Sequence, residues 1–562
     1  MYWILLPYRE LREIPRDLVF LVVVVLACCV PQFGGRLFRA IEAWGSRLAE
    51  QRVRAMLSIG IAAIVIRLCL LWLLPVPAPR IHDEFSYLLG ADTFAHGRLT
   101  NPPHPLWTFF DTFHVNQHPT YMSKYPPAQA AVLAVGQLLG NPWFGVLLSA
   151  GAMCAAVVWM LQGWFPPRWA LLGGTLILFR LGIFSYWINS YWGGAVAAIG
   201  GALVTGALPR LIRSWRARHA FGLGLGGLIL ANSRPFEGAI LCLPVCAVLA
   251  VGLCGARRPS WRTALARVAA PVSLAGLLGL AFMCYYNWRG TGNAFLPPYL
   301  LNERTYLAGS PLSSFGQTRP TALRFANPQF ENYYNGYVQD VWFRGRVTGL
   351  ASAVMKALKT GLAAAYVFLW PELLVPLLAL PWILRNRIGR FLFAQMALVF
   401  VALLATTWFE PHYLGPQTAV LFALLVLGIR HIRLWRFQGG PAGVGLSRAL
   451  VTLVVLLSPF NYHGDWRFGT PQGIAHRATF ARELGRLPGR HLVIVHYSPQ
   501  HSVLQEWVYN SADIDNSKVV WAREIPGRDL RPLLSYFQGR RVWLAEPDAS
   551  PPRLTPYPAT AP

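Results

Sequence analysis

Charged residues are scarce in this chain of 562 residues. They make up 13% of the sequence, about half of what a soluble domain carries, while hydrophobic residues make up 54%. Only four lysines occur, so the net charge of +26 comes almost entirely from arginine. These shortages exclude a disordered chain, a coiled coil and an ordinary soluble enzyme. They favour a protein with many membrane spans.

Two kinds of motif are missing as well. The eight cysteines lie in apolar stretches and none forms a C-x-x-C pair, so neither a zinc site nor a disulfide framework is indicated. No glycine-rich phosphate loop occurs, which leaves a nucleotide-binding role unsupported. The arginines form short clusters between apolar runs, where they set membrane orientation. We therefore expect no nucleic-acid partner.

The apolar runs predict an α-helical polytopic membrane protein. Eleven runs are long enough to be read as transmembrane helices, and the run 18–33 gives a twelfth helix if it spans rather than lies on the membrane. With eleven spans, every arginine cluster falls on one side, which the positive-inside rule makes cytoplasmic. The predicted spans are 55–76, 142–163, 168–187, 191–209, 219–234, 236–254, 267–285, 361–383, 391–408, 413–430 and 447–463.

This topology divides the chain into three parts. A membrane-associated segment with a basic cytoplasmic linker (1–54) precedes a transmembrane domain (55–463), whose segments 77–141 and 286–360 face outside. Alternating apolar runs at 492–497, 518–522 and 541–545 predict a small α/β domain over 464–562, also outside. The run 127–140 is too short to span and is interpreted as a helix on the outer surface.

Carboxylates are concentrated in the first outer segment. Asp83 and Glu84 directly follow the first span, and only Glu237 lies between Asp111 and Glu303. A carboxylate at a membrane edge can act as a general base or a metal ligand. The simpler alternative is a solvated loop start, or a helix N-cap formed by Asp83. His82 and four further histidines share the segment without a recognised ligand spacing.

Two cations near predicted outer ends of spans are candidates for holding an anion. Lys124, in SKYPPAQAAV, can bind a lipid phosphate as a point charge or snorkel to ordinary headgroups. Arg234, in NSRPFEG, either pairs with Glu237 or faces a buried anion.

Aromatic residues cluster at two further outer ends, FSYWINSYWGG (184–194) and TWFEPHYLGP (407–416). Tryptophan and tyrosine are first of all membrane-interface residues, but they also stack on sugar rings. A hydrogen bond from His412 to a substrate is a second hypothesis. The candidate substrate-binding residues are His82, Asn189, Tyr191, Trp192, Glu410, His412 and Tyr413.

Taken in order, these motifs resemble the GT-C superfamily of membrane glycosyltransferases, in particular its protein O-mannosyltransferase and aminoarabinose transferase branch. The resemblance covers about 70–460 and rests on Asp-Glu after the first span, the long outer loop, K-x-P-P before an apolar helix, R-P-x-E-G and H-Y-L-x-P. It implies transfer of a sugar from a polyprenyl-phosphate carrier to a lipid, glycan or protein acceptor. It also implies an outer-face reaction in a bacterial inner membrane.

The resemblance assigns roles to three residues. It makes Asp83 the base or the ligand of a divalent metal ion, makes Glu84 its support, and places Lys124 on the carrier phosphate. The sequence departs from the pattern in the turn INSYWGG, which has Asn189 where related transferases often carry a second Asp. That departure leaves open a catalytically inactive lipid- or glycan-binding relative. A transporter is the third hypothesis, although Arg67 is the one clear mid-span charge and no internal repeat is visible.

Overall fold

The computed structural model describes residues 16–255, 258–307, 322–369, 371–459 and 472–558. Five predicted features fall partly outside them: the N-terminal segment at 1–15, the segment 286–360 at 308–321, the span 361–383 at residue 370, the last span at 460–463, and the C-terminal domain at 464–471 and 559–562. Up to residue 254 the helices are α1 Arg16–Cys29, α2 Gly35–Glu50, α3 Arg52–Cys69, α4 His82–Ala95, α5 Pro127–Leu138, α6 Pro142–Trp164, α7 Pro167–Arg180, α8 Ala195–Ser214, α9 Ala217–Ala231 and α10 Pro235–Cys254.

The second half of the chain is also mostly helical before the C-terminal sheet. Its helices are α11 Trp261–Thr291, α12 Pro298–Leu307, α13 over 328–345, α14 Leu350–Phe368, α15 Val375–Ile383, α16 Arg387–Leu403, α17 Pro411–Ile432, α18 Ala442–Leu457, α19 Gln472–Arg486 and α20 Arg531–Tyr536. Within the described residues, five helices are long and apolar enough to cross a membrane: α6, α8, α10, α11 and α17. The bent pair α15 and α16 adds a sixth if it counts as one span.

The structure corrects the predicted span 361–383. Helix α14 ends at Phe368. Further along, the chain bends by 118° between α15 and α16. Three prolines, at 371, 376 and 381, interrupt this stretch, and each removes a backbone donor. The predicted span 168–187 is also too long, because α7 ends at Arg180. The remaining part of the eleven-span count stays a prediction.

Helices α6, α8 and α17 form the centre of the membrane domain, and their side chains are mostly buried. Helices α10 and α11 lie at its periphery with most of their apolar side chains exposed, as expected for surfaces covered by lipid tails. Close crossings depend on glycine. Gly60 of α3 and Gly151 of α6 lie opposite each other, and a Cβ at Gly60 would come within 2.8 Å of the Gly151 carbonyl oxygen.

The C-terminal region contains a four-stranded sheet in the order β4-β3-β5-β6, and the outer segment contributes a two-stranded ribbon. Strand β3 is parallel to β4 and β5, and β6 is antiparallel to β5. The three strands predicted from alternation are confirmed, and β6 is additional. The strands are β1 Val115–Asn116, β2 Met122–Ser123, β3 His491–Val495, β4 Val519–Arg523, β5 Arg541–Glu546 and β6 Arg553–Pro556.

The two faces of β3 pack against different partners, because side chains alternate along a strand. Leu492 and Ile494 share a hydrophobic core with Phe109 and Phe110 of the first outer segment. Val493 and Val495 pack on the other face with Leu484 of α19 and neighbouring residues. The sheet is therefore fixed onto the segment that carries Asp83.

Candidate active site

Asp83 lies in the first turn of α4, one residue after the helix begins. The N-cap is Ile81, so the alternative in which Asp83 caps the helix is wrong. One carboxylate oxygen accepts a hydrogen bond of 2.5 Å from the Tyr125 hydroxyl. The side chain is still 26% exposed. A carboxylate at a helix N-terminus, held on one side and open on the other, can accept a proton from a bound hydroxyl.

A chain of hydrogen bonds leads to Asp83. The Tyr125 hydroxyl also lies 3.0 Å from Nδ1 of His114, and Nε2 of His114 lies 3.0 Å from the Tyr333 hydroxyl. Burial lowers the pKa of His114 well below its ordinary value, and Lys124 lowers it further, so the ring is neutral. Since Tyr125 gives its proton to Asp83, His114 donates to Tyr125 through Nδ1 and accepts from Tyr333 through Nε2. All donations point towards Asp83 and stabilise its carboxylate.

Glu84 joins the start of α4 to the turn before α8. It is buried, and its oxygens accept from the backbone N–H groups of Arg80 at 2.5 Å, Ile81 at 3.3 Å and Tyr191 at 2.9 Å. Burial raises the pKa of Glu84 to about 7, against the opposing effect of these donors. These contacts hold the backbone next to Asp83 in place. They leave no open face on the Glu84 carboxylate.

Lys124 is buried beside a carboxylate that the sequence analysis did not single out. Its ammonium lies 3.7 Å from Oε1 of Glu303 and 5.1 Å from the ring centre of Tyr299. Burial lowers the pKa of Lys124, while Glu303 and then Asp83 oppose that shift. Burial likewise raises the pKa of Glu303. A buried ion pair carries a large desolvation cost, so a further anion at Lys124 would favour its charged form.

Arg234 lies beside Glu237, as the first sequence alternative expects, and the buried anion of the second alternative stays a prediction. Its guanidinium lies 4.0 Å from Glu237, at the limit of an ion pair, and stacks over the Tyr413 ring at 4.2 Å. Tyr413 is also within electrostatic range of Asp83 and Glu410.

The turn before α8 packs against the segment that opens α17. Trp192 meets the His412 ring edge-to-face at 4.5 Å, and Nδ1 of His412 lies 3.3 Å from the Tyr186 hydroxyl. Tyr191 donates its hydroxyl proton to the Pro77 carbonyl at 3.0 Å, so its polar groups serve the fold. Trp192, His412 and Tyr413 thus form one aromatic group next to Arg234.

Asn189, at the position where a second Asp was expected, is fully engaged within the protein. Its oxygen accepts from Nε of Arg67 at 2.9 Å, and its nitrogen donates to the carbonyls of Ile183 at 3.1 Å and Ser185 at 2.8 Å. A carboxylate at this position would lack the amide protons for those two carbonyls. The asparagine therefore holds the turn together and ties it to Arg67, which lies in the last turn of α3 and not at mid-span as the sequence analysis has it.

The residues around Asp83 do not fit a dedicated metal site. Within the part of the chain that the structure describes, no three His, Cys, Asp or Glu side chains converge. Both ring nitrogens of His114 lie within hydrogen-bonding distance of tyrosines, and the Asn189 oxygen is taken by Arg67. Asp83 keeps a partly open face, and we derive no step through a metal ion.

His82 faces away from the aromatic group and towards the C-terminal region. Nδ1 lies 2.7 Å from the Tyr509 hydroxyl, and Nε2 lies 2.9 Å from the Val503 carbonyl. Because a carbonyl only accepts, Nε2 carries the proton and Nδ1 accepts from Tyr509. Burial lowers the pKa of His82 to about 4. These contacts make it a connection between α4 and the C-terminal region, with both nitrogens occupied.

No family model and no curated protein sequence matches this chain. Among solved structures, it is similar to ArnT from Cupriavidus metallidurans in the apo state, with 13% identity, a TM-score of 0.46, and coverage of 86% of this chain and 92% of ArnT. It is also similar to the Archaeoglobus fulgidus oligosaccharyltransferase in complex with zinc and sulfate, with 11% identity, a TM-score of 0.42, and coverage of 88% and 67%.

A third match is the oligosaccharyltransferase AglB from Archaeoglobus fulgidus in complex with an inhibitory peptide and a dolichol-phosphate. It has 12% identity and a TM-score of 0.37, and the alignment covers 78% of this chain and 62% of AglB. Likeness at this level assigns no residue roles. The roles of Asp83, Lys124 and Arg234 depend on the geometry of this chain's own site.

The sequence analysis missed three polar residues of the site: His114 as a partner of Tyr125, Tyr125 itself and Glu303. Tyr125 follows Lys124 directly, so its position was available from the sequence. Glu303 is the next carboxylate after Glu237, and its rarity was a usable signal. His114 and Tyr333 are far apart in the chain, and only the folded structure shows that they meet.

Proposed function

We propose that this chain is an inner-membrane glycosyltransferase of GT-C type that moves a sugar from a polyprenyl-phosphate carrier to an acceptor at the outer face. One observation carries the proposal. A partly exposed carboxylate, Asp83, and the buried cation Lys124 both adjoin Tyr125, whose hydroxyl donates to Asp83 at 2.5 Å and whose ring centre lies 5.5 Å from the Lys124 ammonium. Glycosyl transfer from a phosphate needs both groups, a base for the incoming hydroxyl and a cation for the departing phosphate.

The proposed step is a displacement at the anomeric carbon. Asp83 takes the proton of the acceptor hydroxyl, and the acceptor oxygen forms a bond to the anomeric carbon. The bond between that carbon and the phosphate oxygen breaks, and its electron pair leaves on the phosphate. Lys124 and Arg234 stabilise the negative charge that develops there. The hydrogen bond from Tyr125 orients the Asp83 carboxylate.

The aromatic group of Trp192, His412 and Tyr413 is suited to the sugar. Aromatic faces stack on the apolar C–H face of a sugar ring, and Arg234 lies over Tyr413, so a sugar phosphate can contact ring and cation together. Glu410 lies within electrostatic range of Tyr413 and is a further candidate contact for sugar hydroxyls. A lipid-linked donor also agrees with the absence of a nucleotide-binding loop.

A second candidate function is lipid or glycan binding without turnover. The observation that favours it is Asn189, whose amide is committed to the fold where related transferases often carry a carboxylate. Substituting Asp83→Asn separates the two functions. A transferase loses sugar transfer and keeps the carrier lipid, whereas a binding protein keeps its function.

The first experiment is mass spectrometry of lipids retained by the purified full-length chain. Wild type, Lys124→Ala and the control Lys359→Ala, an exposed lysine of α14, are compared before and after addition of polyprenyl phosphate. We expect polyprenyl phosphate or its sugar ester on wild type and on the control, and at least about tenfold less on Lys124→Ala, because charge-assisted phosphate contacts are strong. Equal retention of polyprenyl phosphate by all three proteins would show that Lys124 does not bind the carrier phosphate.

A further inference from the structure

Helix α2 (Gly35–Glu50) is amphipathic, and one of its faces is docked on the membrane domain. Glu42 pairs with Arg433 and, through two hydrogen bonds of 3.0 Å each, with Arg448 of α18. Gly45 packs beside Leu171 of α7, and Ala49 is fully buried. These contacts fix how the helix is rotated about its axis.

The fixed rotation leaves an apolar face exposed. Leu37, Ile41 and Trp44 follow the helical spacing of one face and are 64%, 53% and 61% exposed. Phe33, just before the helix, is 82% exposed. Large apolar side chains on a helix that also carries arginines are typical of a helix lying in the plane of a membrane interface.

Arginines lie beside this apolar face. Arg36 and Arg47 are eleven residues apart, close to three helical turns, and therefore project from nearly the same side of α2. Arg39 is a third, and all three are exposed. When the apolar face of a helix is inserted in lipid, basic residues beside that face attract anionic headgroups.

A cavity of about 750 Å³ opens at the same level. It is lined by the turn between α1 and α2, by Arg36 and Arg39, and by Pro441, Val444 and Arg448 at the start of α18. The neighbouring helix α1 exposes Leu18, Leu21, Val22, Val25 and Leu26 along its length. A headgroup in the cavity would thus have an apolar helix surface beside it for its acyl chains.

We propose that this cavity and the exposed face of α2 form a binding site for an anionic phospholipid, whose headgroup phosphate lies between Arg36, Arg39 and Arg448. A phospholipid fits this site because the basic cavity is continuous with exposed apolar helix surface, which a free anion would not contact. The site is separate from Asp83 and does not depend on the proposed transferase activity.

The test is native mass spectrometry of the full-length chain released from nanodiscs made of equal parts phosphatidylglycerol and phosphatidylcholine. Wild type is compared with the double variant Arg36→Gln/Arg39→Gln. The matched control is Arg385→Gln/Arg387→Gln, which removes the same charge from two exposed arginines of another basic cluster. Thermal unfolding of each protein verifies that all three are folded.

We expect wild type and the control to retain phosphatidylglycerol in preference to phosphatidylcholine. The Arg36/Arg39 variant loses that preference by roughly thirtyfold, because each of the two basic residues near an anionic surface contributes about 1 kcal/mol. An equal loss in both variants would show a general effect of surface charge and overturn the site. An unchanged preference in the Arg36/Arg39 variant would overturn it as well.

Discussion

At the scale of single residues, the site is defined by which polar groups already have hydrogen-bonding partners within the protein. Asp83 keeps an open face, while Glu84, Asn189 and His82 have their hydrogen-bonding groups committed to the fold. Lys124 is intermediate, because among the described residues its anionic contact is Glu303 at 3.7 Å, near the outer limit of ion-pair distance. An ion pair of that length is easily replaced by a phosphate.

We predict that Glu303 competes with the proposed carrier phosphate for Lys124. We expect Glu303→Gln to raise the affinity for polyprenyl phosphate about tenfold, because an attraction on the order of 4 kcal/mol between partly buried charges is removed and solvent screens part of it. The measurement is a titration of the purified protein with polyprenyl phosphate. Glu331→Gln, an exposed carboxylate of α13, is the control. Unchanged or weaker binding by a stable Glu303→Gln protein would show that Glu303 does not compete.

At the scale of helices, close contacts decide where site residues lie. Helix α17 opens with the segment that holds His412 and Tyr413, and its position depends on Gly201 of α8. A Cβ at Gly201 would lie 1.9 Å from the carbonyl oxygen of Pro416. In a membrane, small residues allow such approaches between helix backbones.

We expect Gly201→Ala to lower the free energy of unfolding by about 1–3 kcal/mol, the usual cost of overpacking, and to displace the start of α17. Gly227→Ala in α9 is the control, since nothing lies within 4 Å of its added Cβ. Both substitutions raise helix propensity, so a difference in stability between the two variants comes from the clash at Gly201 alone. Thermal unfolding in detergent measures that difference. Matching melting temperatures would contradict the predicted contact.

At the scale of the whole molecule, a buried network joins the C-terminal sheet to the outer segment. Arg523 of β4 pairs with Glu506 at 2.5 Å and also donates to the Asp111 carbonyl. Glu506 accepts from the Tyr497 hydroxyl and from the Val508 N–H. Burial raises the pKa of Glu506, but Arg523 and then Tyr497 outweigh burial and hold the pKa below its ordinary value.

This network predicts a pH dependence. A carboxyl with a lowered pKa contributes stability above its unfolded pKa of about 4.5, and that stability is lost as the pH falls through the lower folded value. Glu506→Gln should lower the free energy of unfolding by about 3–5 kcal/mol at pH 7, because Arg523 is left buried and unpaired. On acidification the variant should lose less stability than wild type does. Unfolding is followed between pH 7 and 3. A variant as stable as wild type at pH 7 would contradict the prediction.

The sequence by itself determined the membrane class and three strands of the sheet, and it predicted the side of the arginine clusters and the candidate residues Asp83, Glu84 and Lys124. These follow from hydropathy, charge and alternation, which are local properties of the chain. Only the tertiary structure decided that Glu303 faces Lys124, that Arg234 lies over Tyr413, that the Asn189 amide is engaged within the fold, and that the chain bends by 118° between α15 and α16. Those contacts join residues far apart in the chain, or depend on how a bend packs, and neither is encoded in a local pattern.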